Sequence, residues 1–138
     1  MMMTMWMRML AGALLASLLA GAAQAQTRER QQQRLDELMP YVGEPVDSFQ
    51  FWKLTQWELV GAQQVVVWPR LHEAYLLTVD APCSELEWAK SIALTSSVQR
   101  VTARFDAVRV GKDRCRINQI RRIDMKRYQA ERKASRAQ

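Results

Sequence analysis

The sequence predicts a mainly β domain: an antiparallel meander that curls into a sheet or small barrel, with an N-terminal helix and one short inserted helix. Three observations predict it. From Val46 onward the apolar residues recur with a period of two. The runs are short and are separated by residues that favour turns. Two cysteines, Cys83 and Cys115, bracket the second half of that β region.

The first 25 residues read as an export signal. Arg8 supplies a positive start, and Met9 to Ala23 is an uncharged run of 15 residues rich in Leu and Ala. Ala23 and Ala25 then fit the small-residue pattern of a signal-peptidase site. The rival reading is an uncleaved anchor, but spanning a bilayer takes roughly 20 apolar residues. No cysteine stands at the cleavage point, which excludes a lipoprotein anchor. The predicted organisation is a signal peptide over 1–25, an amphipathic helix over 26–42, a disulfide-closed β domain over 43–124 and a basic tail over 125–138.

Thr27 to Met39 reads as a helix, because Leu35, Leu38, Met39 and Val42 recur at helical spacing. Pro40 ends it. Phe49 and Phe51 then alternate with polar residues, as do Trp57 and Leu59. Val65 to Trp68 is a short apolar run of mostly β-branched residues, and Ala74 to Val79 continues the pattern. Gly61 and Pro69 mark the gaps between these strands. Ser84-Glu85-Leu86-Glu87 fits a capping box and predicts the inserted helix. Four further short strands follow, over 92–95, 99–105, 107–110 and 115–120, with Lys112-Asp113-Arg114 as the last turn. Beyond Ile123 only Met125 and Tyr128 are large and apolar, which predicts a frayed, solvated helix or disorder.

Charge is distributed unevenly. Residues 26–120 hold 12 basic and 12 acidic residues, whereas the last 18 hold 7 basic residues against Asp124 and Glu131. Arg121, Arg122, Lys126, Arg127, Arg132, Lys133 and Arg136 are therefore the candidate anion-binding set. Nucleic acid is the usual partner of such charge, but export removes it. Lipid headgroups and cell-wall carboxylates remain as anionic partners, with a periplasmic protein as the other option. The mature chain carries no transmembrane segment.

An exported chain meets an oxidising compartment, where an even number of thiols pairs. A Cys83–Cys115 disulfide would add about 3–4 kcal/mol in the chain-entropy model. A redox-active or metal-binding pair is the alternative, with neither CxxC spacing nor a second ligand cluster behind it. His72 is the single histidine and sits in an apparent turn. Asp80, Glu85, Glu87 and Asp106 could form an acid/base pair, but Asp80 and Asp106 end strands and Glu87 has a capping role. No catalytic residue, metal or cofactor is expected. Among the aromatics, Trp57 reads as core, while Trp88 and Trp52 are candidates for an exposed stacking platform.

The residues Trp57-Glu58-Leu59-Val60, Tyr75-Leu76-Leu77, Ala81-Pro82-Cys83, Ile92-Ala93-Leu94-Thr95, Phe105-Asp106-Ala107-Val108-Arg109-Val110 and Cys115-Arg116-Ile117, leading to Ile120 and Asp124, carry a further signal. In this order, the stretch from Trp57 to Asp124 resembles a family of small exported bacterial proteins classed as a domain of unknown function. The resemblance implies an exported, disulfide-closed β domain and no particular activity. Together these readings point to a non-enzymatic envelope protein, a binding or scaffold module of periplasmic or secreted location. An inhibitor of an envelope lytic enzyme is the alternative; such targets are commonly basic, and a chain of net charge +5 after cleavage would approach them slowly.

Overall fold

Strands β4 (Gln64–Arg70) and β5 (Glu73–Val79) form the central hairpin of the fold, and both are apolar on both faces. They lie in a computed structural model that describes residues 25–137. The predicted export signal, Ala23 included, lies outside the described residues; Ala25 begins them as an exposed helical residue. The chain runs from helix α1 (residues 25–38) through a 3-10 turn, Met39–Tyr41, into nine strands and a final helix. The remaining strands are β1 (Val42–Val46), β2 (Ser48–Gln50), β3 (Gln56–Gly61), β6 (Ala93–Leu94), β7 (Arg100–Thr102), β8 (Ala107–Val110) and β9 (Asp113–Ile123). Helix α2 spans Met125–Arg136.

The main sheet is antiparallel, in the order β3-β4-β5-β9-β8-β6, and curls into a half-barrel. Strand β9 is its spine. One edge of β9 pairs with β5 from Ile117 to Ile123, while β8 and β1 share the other edge end to end. A separate ribbon of β2 and β7 completes the inner side. The inner core holds Val65, Val67, Tyr75, Leu77, Val108, Val110, Ile117 and Ile120. The outer core alternates with it along the same strands: Val66, Trp68, Ala74 and Leu76 pack against Leu35 and Leu38 of α1 and Met125 and Tyr128 of α2.

The mainly β class and the N-terminal helix agree with the sequence reading; five details differ. Met39 is exposed and Val42 starts β1, so the buried stripe of α1 is Leu35 and Leu38. Pro69 lies inside β4 at a register irregularity between Val67 and Arg70, where the absence of an amide hydrogen is tolerated, and the chain turns at Leu71 and His72. The inserted helix is a single 3-10 turn, Leu86–Trp88, without a side-chain cap. Its capping box does not form: the Glu87 carboxylate pairs with Arg28, and the Glu85 amide donates to Asp113 Oδ2 at 3.0 Å, which ties the segment to β9. The last turn falls at Gly111-Lys112, not at 112–114. Gly111 adopts φ +54°, and a β-carbon there would meet the Glu85 carboxylate at 2.7 Å.

The fifth difference is the C-terminal segment. It is a docked helix, neither frayed nor disordered. Asp124 caps it by accepting the Arg127 amide at 3.1 Å, and the Asp124 amide donates to Tyr41 O at 2.8 Å. Met125 and Tyr128 are buried. A 12-residue helix is marginal in water on its own. Full burial of a large apolar side chain contributes about 1.5–3 kcal/mol, so two such anchors are enough to hold it.

The disulfide joins Cys83 and Cys115 with Cα atoms 5.8 Å apart across a separation of 32 residues. It pins the segment before the 3-10 turn to β9, and Leu86 behind it fills the inner core at 0 % exposure. Replacing both cysteines by serine should lower unfolding stability by about 3–4 kcal/mol in urea titrations. A loss below about 1 kcal/mol would mean that the segment is held by Leu86 burial instead.

Candidate functional site

The tail that the sequence marks as basic crosses the outer face beside α1, and Tyr128 is the hub of the seam. Arg34 Nη1 donates to Tyr128 Oη at 2.6 Å, and Arg34 Nε donates to Glu58 Oε1 at 2.9 Å. Tyr128 Oη in turn donates to Glu37 Oε1 at 3.1 Å. Arg132 Nη1 reaches both Tyr128 Oη, at 3.0 Å, and the Glu37 carboxylate. The Arg34 and Arg132 guanidinium carbons each lie 5.5 Å from the Tyr128 ring centre. Burial works against the Arg34 charge, but hydrogen bonds to Glu58 and Tyr128 outweigh it and raise its pKa above the ordinary arginine value.

A second ring contact extends the seam. Tyr41 meets Tyr128 edge to face at 5.3 Å. Arg127 stacks over Tyr41 at 4.8 Å, donates to Pro40 O and lies 3.9 Å from Glu131. Tyr41 also donates to Glu131, a bond that raises its pKa. The depression along this seam measures about 410 Å³; most of its walls, Glu37, Tyr41, Tyr128, Glu131 and Arg132, are already bonded to one another, and Ser135 and Arg136 complete the rim. Small-molecule sites are mostly apolar with a few convergent polar groups. This one is a ring-and-charge joint between helices.

The seven predicted cations therefore divide. Arg121 donates to Gly43 O at 2.7 Å and fastens β1. Arg132 holds α2 against α1, and Arg127 holds it against the 3-10 turn. Arg122 is exposed and acts on Tyr75 across the strand pair. Lys126, Lys133 and Arg136 are exposed, and their side chains make no ion pair among the described residues. At 100° per residue, Lys126 and Lys133 point away from Met125 and Tyr128, whereas Arg136 projects near Met125 and lines the seam depression beside Tyr128. Lys133 and Arg136 also complement the negative end of the helix dipole.

The other predicted residues scatter. Trp52 and Trp88 are 61 % and 64 % exposed, and Trp57 is half-buried against the inner core. Trp52 lies near the Arg70 end of β4, because Gln50 accepts from Arg70 and the Thr55 amide donates to Trp68 O. Trp88 follows Glu87, which shares a depression with Gly61 and Ala62 at the opposite end. Beside Trp52, the turn Ser97–Arg100 carries Val98 at φ +50° and 91 % exposure. A β-branched residue is strained in that region.

The candidate carboxylates hold the fold. Asp80 accepts from Asn118 at 3.0 Å and Arg116 at 2.8 Å, bonds that keep its pKa below the usual carboxylate range. Asp106 is 2 % exposed. It accepts from Thr95 Oγ1 at 2.8 Å and the Thr102 amide at 2.7 Å, which fixes the turn before β8. Glu87 pairs with Arg28, and Glu85 packs beside Gly111. His72 is exposed in the β4–β5 turn. Cys83 and Cys115 lie near Asp113, but their sulfurs are bonded to each other.

The pattern of the family of unknown function DUF6491 matches residues 3–138. The chain belongs to that family. The match takes in the disulfide, the half-barrel and also both helices, so the outer layer is part of the DUF6491 pattern and not an appendage to it. No curated protein and no solved structure matches the chain. Within this DUF6491 member the seam residues Arg34, Glu37, Tyr41 and Tyr128 escaped the sequence reading. The signal that points to them is the unbroken apolar runs of β4 and β5, which require a cover on the outer face.

Tyr75 offers a direct check of the inner core. It stacks on Phe49 at 4.3 Å, and burial together with its bond to Glu73 pushes its pKa up to about 12. An unfolded tyrosine ionises near pH ~10, so the unfolded chain loses this proton first and stability falls as pH rises from there towards the folded value. Alkaline difference spectra should show a late-ionising component that Tyr75→Phe removes. A wild-type curve complete near the ordinary tyrosine value would contradict the burial.

Proposed function

We propose that this protein is an exported, non-catalytic binding module of the cell envelope, and that the outer face of α2 is its contact with anionic envelope material. The carrying observation is the division of the basic residues. Arg121, Arg127 and Arg132 are spent on the fold, whereas Lys126, Lys133 and Arg136 have no ion-pair partner among the described residues and stand exposed along a docked helix. Cations held on a rigid helix meet a flat anionic surface together, without the ordering cost of a flexible tail. Export is supported by the Arg8, Ala23 and Ala25 pattern, and an intramolecular disulfide fits a periplasmic or extracellular location. The non-catalytic reading is supported by Asp80 and Asp106, whose oxygens are engaged in structural hydrogen bonds.

Each basic residue near an anionic membrane surface is worth about 1 kcal/mol, weakened by salt. Reversing Lys126, Lys133 and Arg136 to Glu together should weaken co-sedimentation with phosphatidylglycerol vesicles by about 100-fold at low salt. The thermal midpoint should stay close to wild type, because all three side chains face solvent. Wild-type binding that ignores both salt and the triple reversal would overturn this role for α2.

A further inference from the structure

The two helices cover only part of the outer face. The outer core draws its strand residues from β3, β4, β5 and the end of β9, and none from β6 or β8. Over β6, β8 and the first half of β9 the outward positions are Ala93, Ala107, Arg109, Arg114, Arg116 and Asn118. Their inward neighbours Val108, Val110, Cys115 and Ile117 belong to the inner core. The exposed positions of this half of the outer face are thus Ala93, three arginines and Asn118, with Ala107 buried among them. This lies within a stretch of chain, residues 26–120, whose charges sum to zero.

The hairpin register sets the arginines against each other. With the turn at Gly111-Lys112, Val110 faces Asp113, Arg109 faces Arg114 and Ala107 faces Arg116. Arg116 is neutralised by Asp80 at 2.8 Å. Arg109 and Arg114 are exposed, and neither has a carboxylate within ion-pair distance among the described residues. Asp113 is of no help to them: it alternates to the inner side of β9 and takes the Glu85 amide. Like charges directly opposite on neighbouring strands are destabilising. The fold therefore carries an uncompensated pair of guanidinium groups, with Ala93 across from Arg109 and Ala107 beside it. Lys112, exposed in the adjoining turn, adds a third cation.

We propose that Arg109 and Arg114 form a site for a phosphate dianion, supplied either free or as a phosphomonoester headgroup. Two planar forks match the oxygens of such a group bidentately, and two positive charges balance its two negative ones. Ala93, exposed and directly across from Arg109, adds no bulk there and leaves the anion room to approach. The site is separate from the α2 face and does not rest on it.

The test titrates the purified protein with inorganic phosphate and follows the arginine side-chain NMR resonances. Sedimentation with phosphatidic acid vesicles, against phosphatidylglycerol vesicles, supplies the second arm. Arg109→Glu and Arg114→Glu each turn the opposed pair into an ion pair. Both variants should raise the thermal midpoint while weakening anion binding by about tenfold or more. Saturable shifts at both arginines, lost in the two variants and kept in the Lys126, Lys133 and Arg136 reversal, identify free phosphate. Indifference to phosphate with a phosphatidic acid preference, lost in the same two variants, identifies a headgroup. Binding unchanged by both variants, or no response to either probe, overturns the site and leaves the α2 contact standing or falling on its own experiment.

Discussion

Neither face of the β4–β5 hairpin reaches water, and the rest of the molecule is arranged around that constraint. Val65, Val67, Tyr75, Leu77 and Val79 point inward, while Val66, Trp68, Ala74 and Leu76 point outward, all of them buried. An antiparallel sheet with one wet face would alternate apolar and polar residues; this hairpin does not. The inward set is satisfied when the sheet curls and the β2–β7 ribbon and Leu86 close over it. The outward set needs a layer from elsewhere in the chain. Helix α1 brings Leu35 and Leu38, and α2 brings Met125 and Tyr128. Two short helices, each with a narrow apolar stripe, together do what neither could do alone.

The chemistry of the seam follows from this packing. Helices laid side by side on a sheet bring their flanking charges together in a half-buried space, where unpaired guanidinium groups would be costly. Glu37, Glu58 and the carbonyls of Pro40 and Gly43 provide the acceptors. Arginine suits these positions because it bonds through a planar fork while lying on a ring, as Arg34, Arg127 and Arg132 do over Tyr128 and Tyr41. Lysine appears only on the wet side, at Lys126 and Lys133. Seven basic residues that look like one polyanion-binding tail in the sequence are, in the folded chain, a set of structural bolts and a smaller free face.

Much of this was legible before folding is considered. The helix around Leu35 and Leu38, the strands from Phe49 to Val79, the pairing of Cys83 with Cys115 and the turn position of His72 all follow from local pattern or cysteine count. What was not legible depends on contacts between distant residues. The Ser84–Glu87 box does not form, and the Glu87 carboxylate it would need is paired with the distant Arg28. Pro69 stays in its strand because a bulge accommodates it. Helix α2 has too few apolar residues to announce itself, and its docking is set by Leu35, Leu38 and Tyr41 far away in sequence. The Arg109–Arg114 pairing depends on a turn placed at Gly111-Lys112; a turn one residue later would remove it.

Amide hydrogen exchange across α2 tests the shared outer core most directly. If Met125 and Tyr128 dock this helix on the sheet, amides within Met125–Arg136 exchange slowly in the wild type, and Tyr128→Ala brings them towards free-peptide rates while the strands stay protected. Wild-type α2 amides that already exchange at free-peptide rates, beside a protected β4–β5 hairpin, would contradict it. That result would mean the outer face of the sheet is covered by something other than the end of this chain.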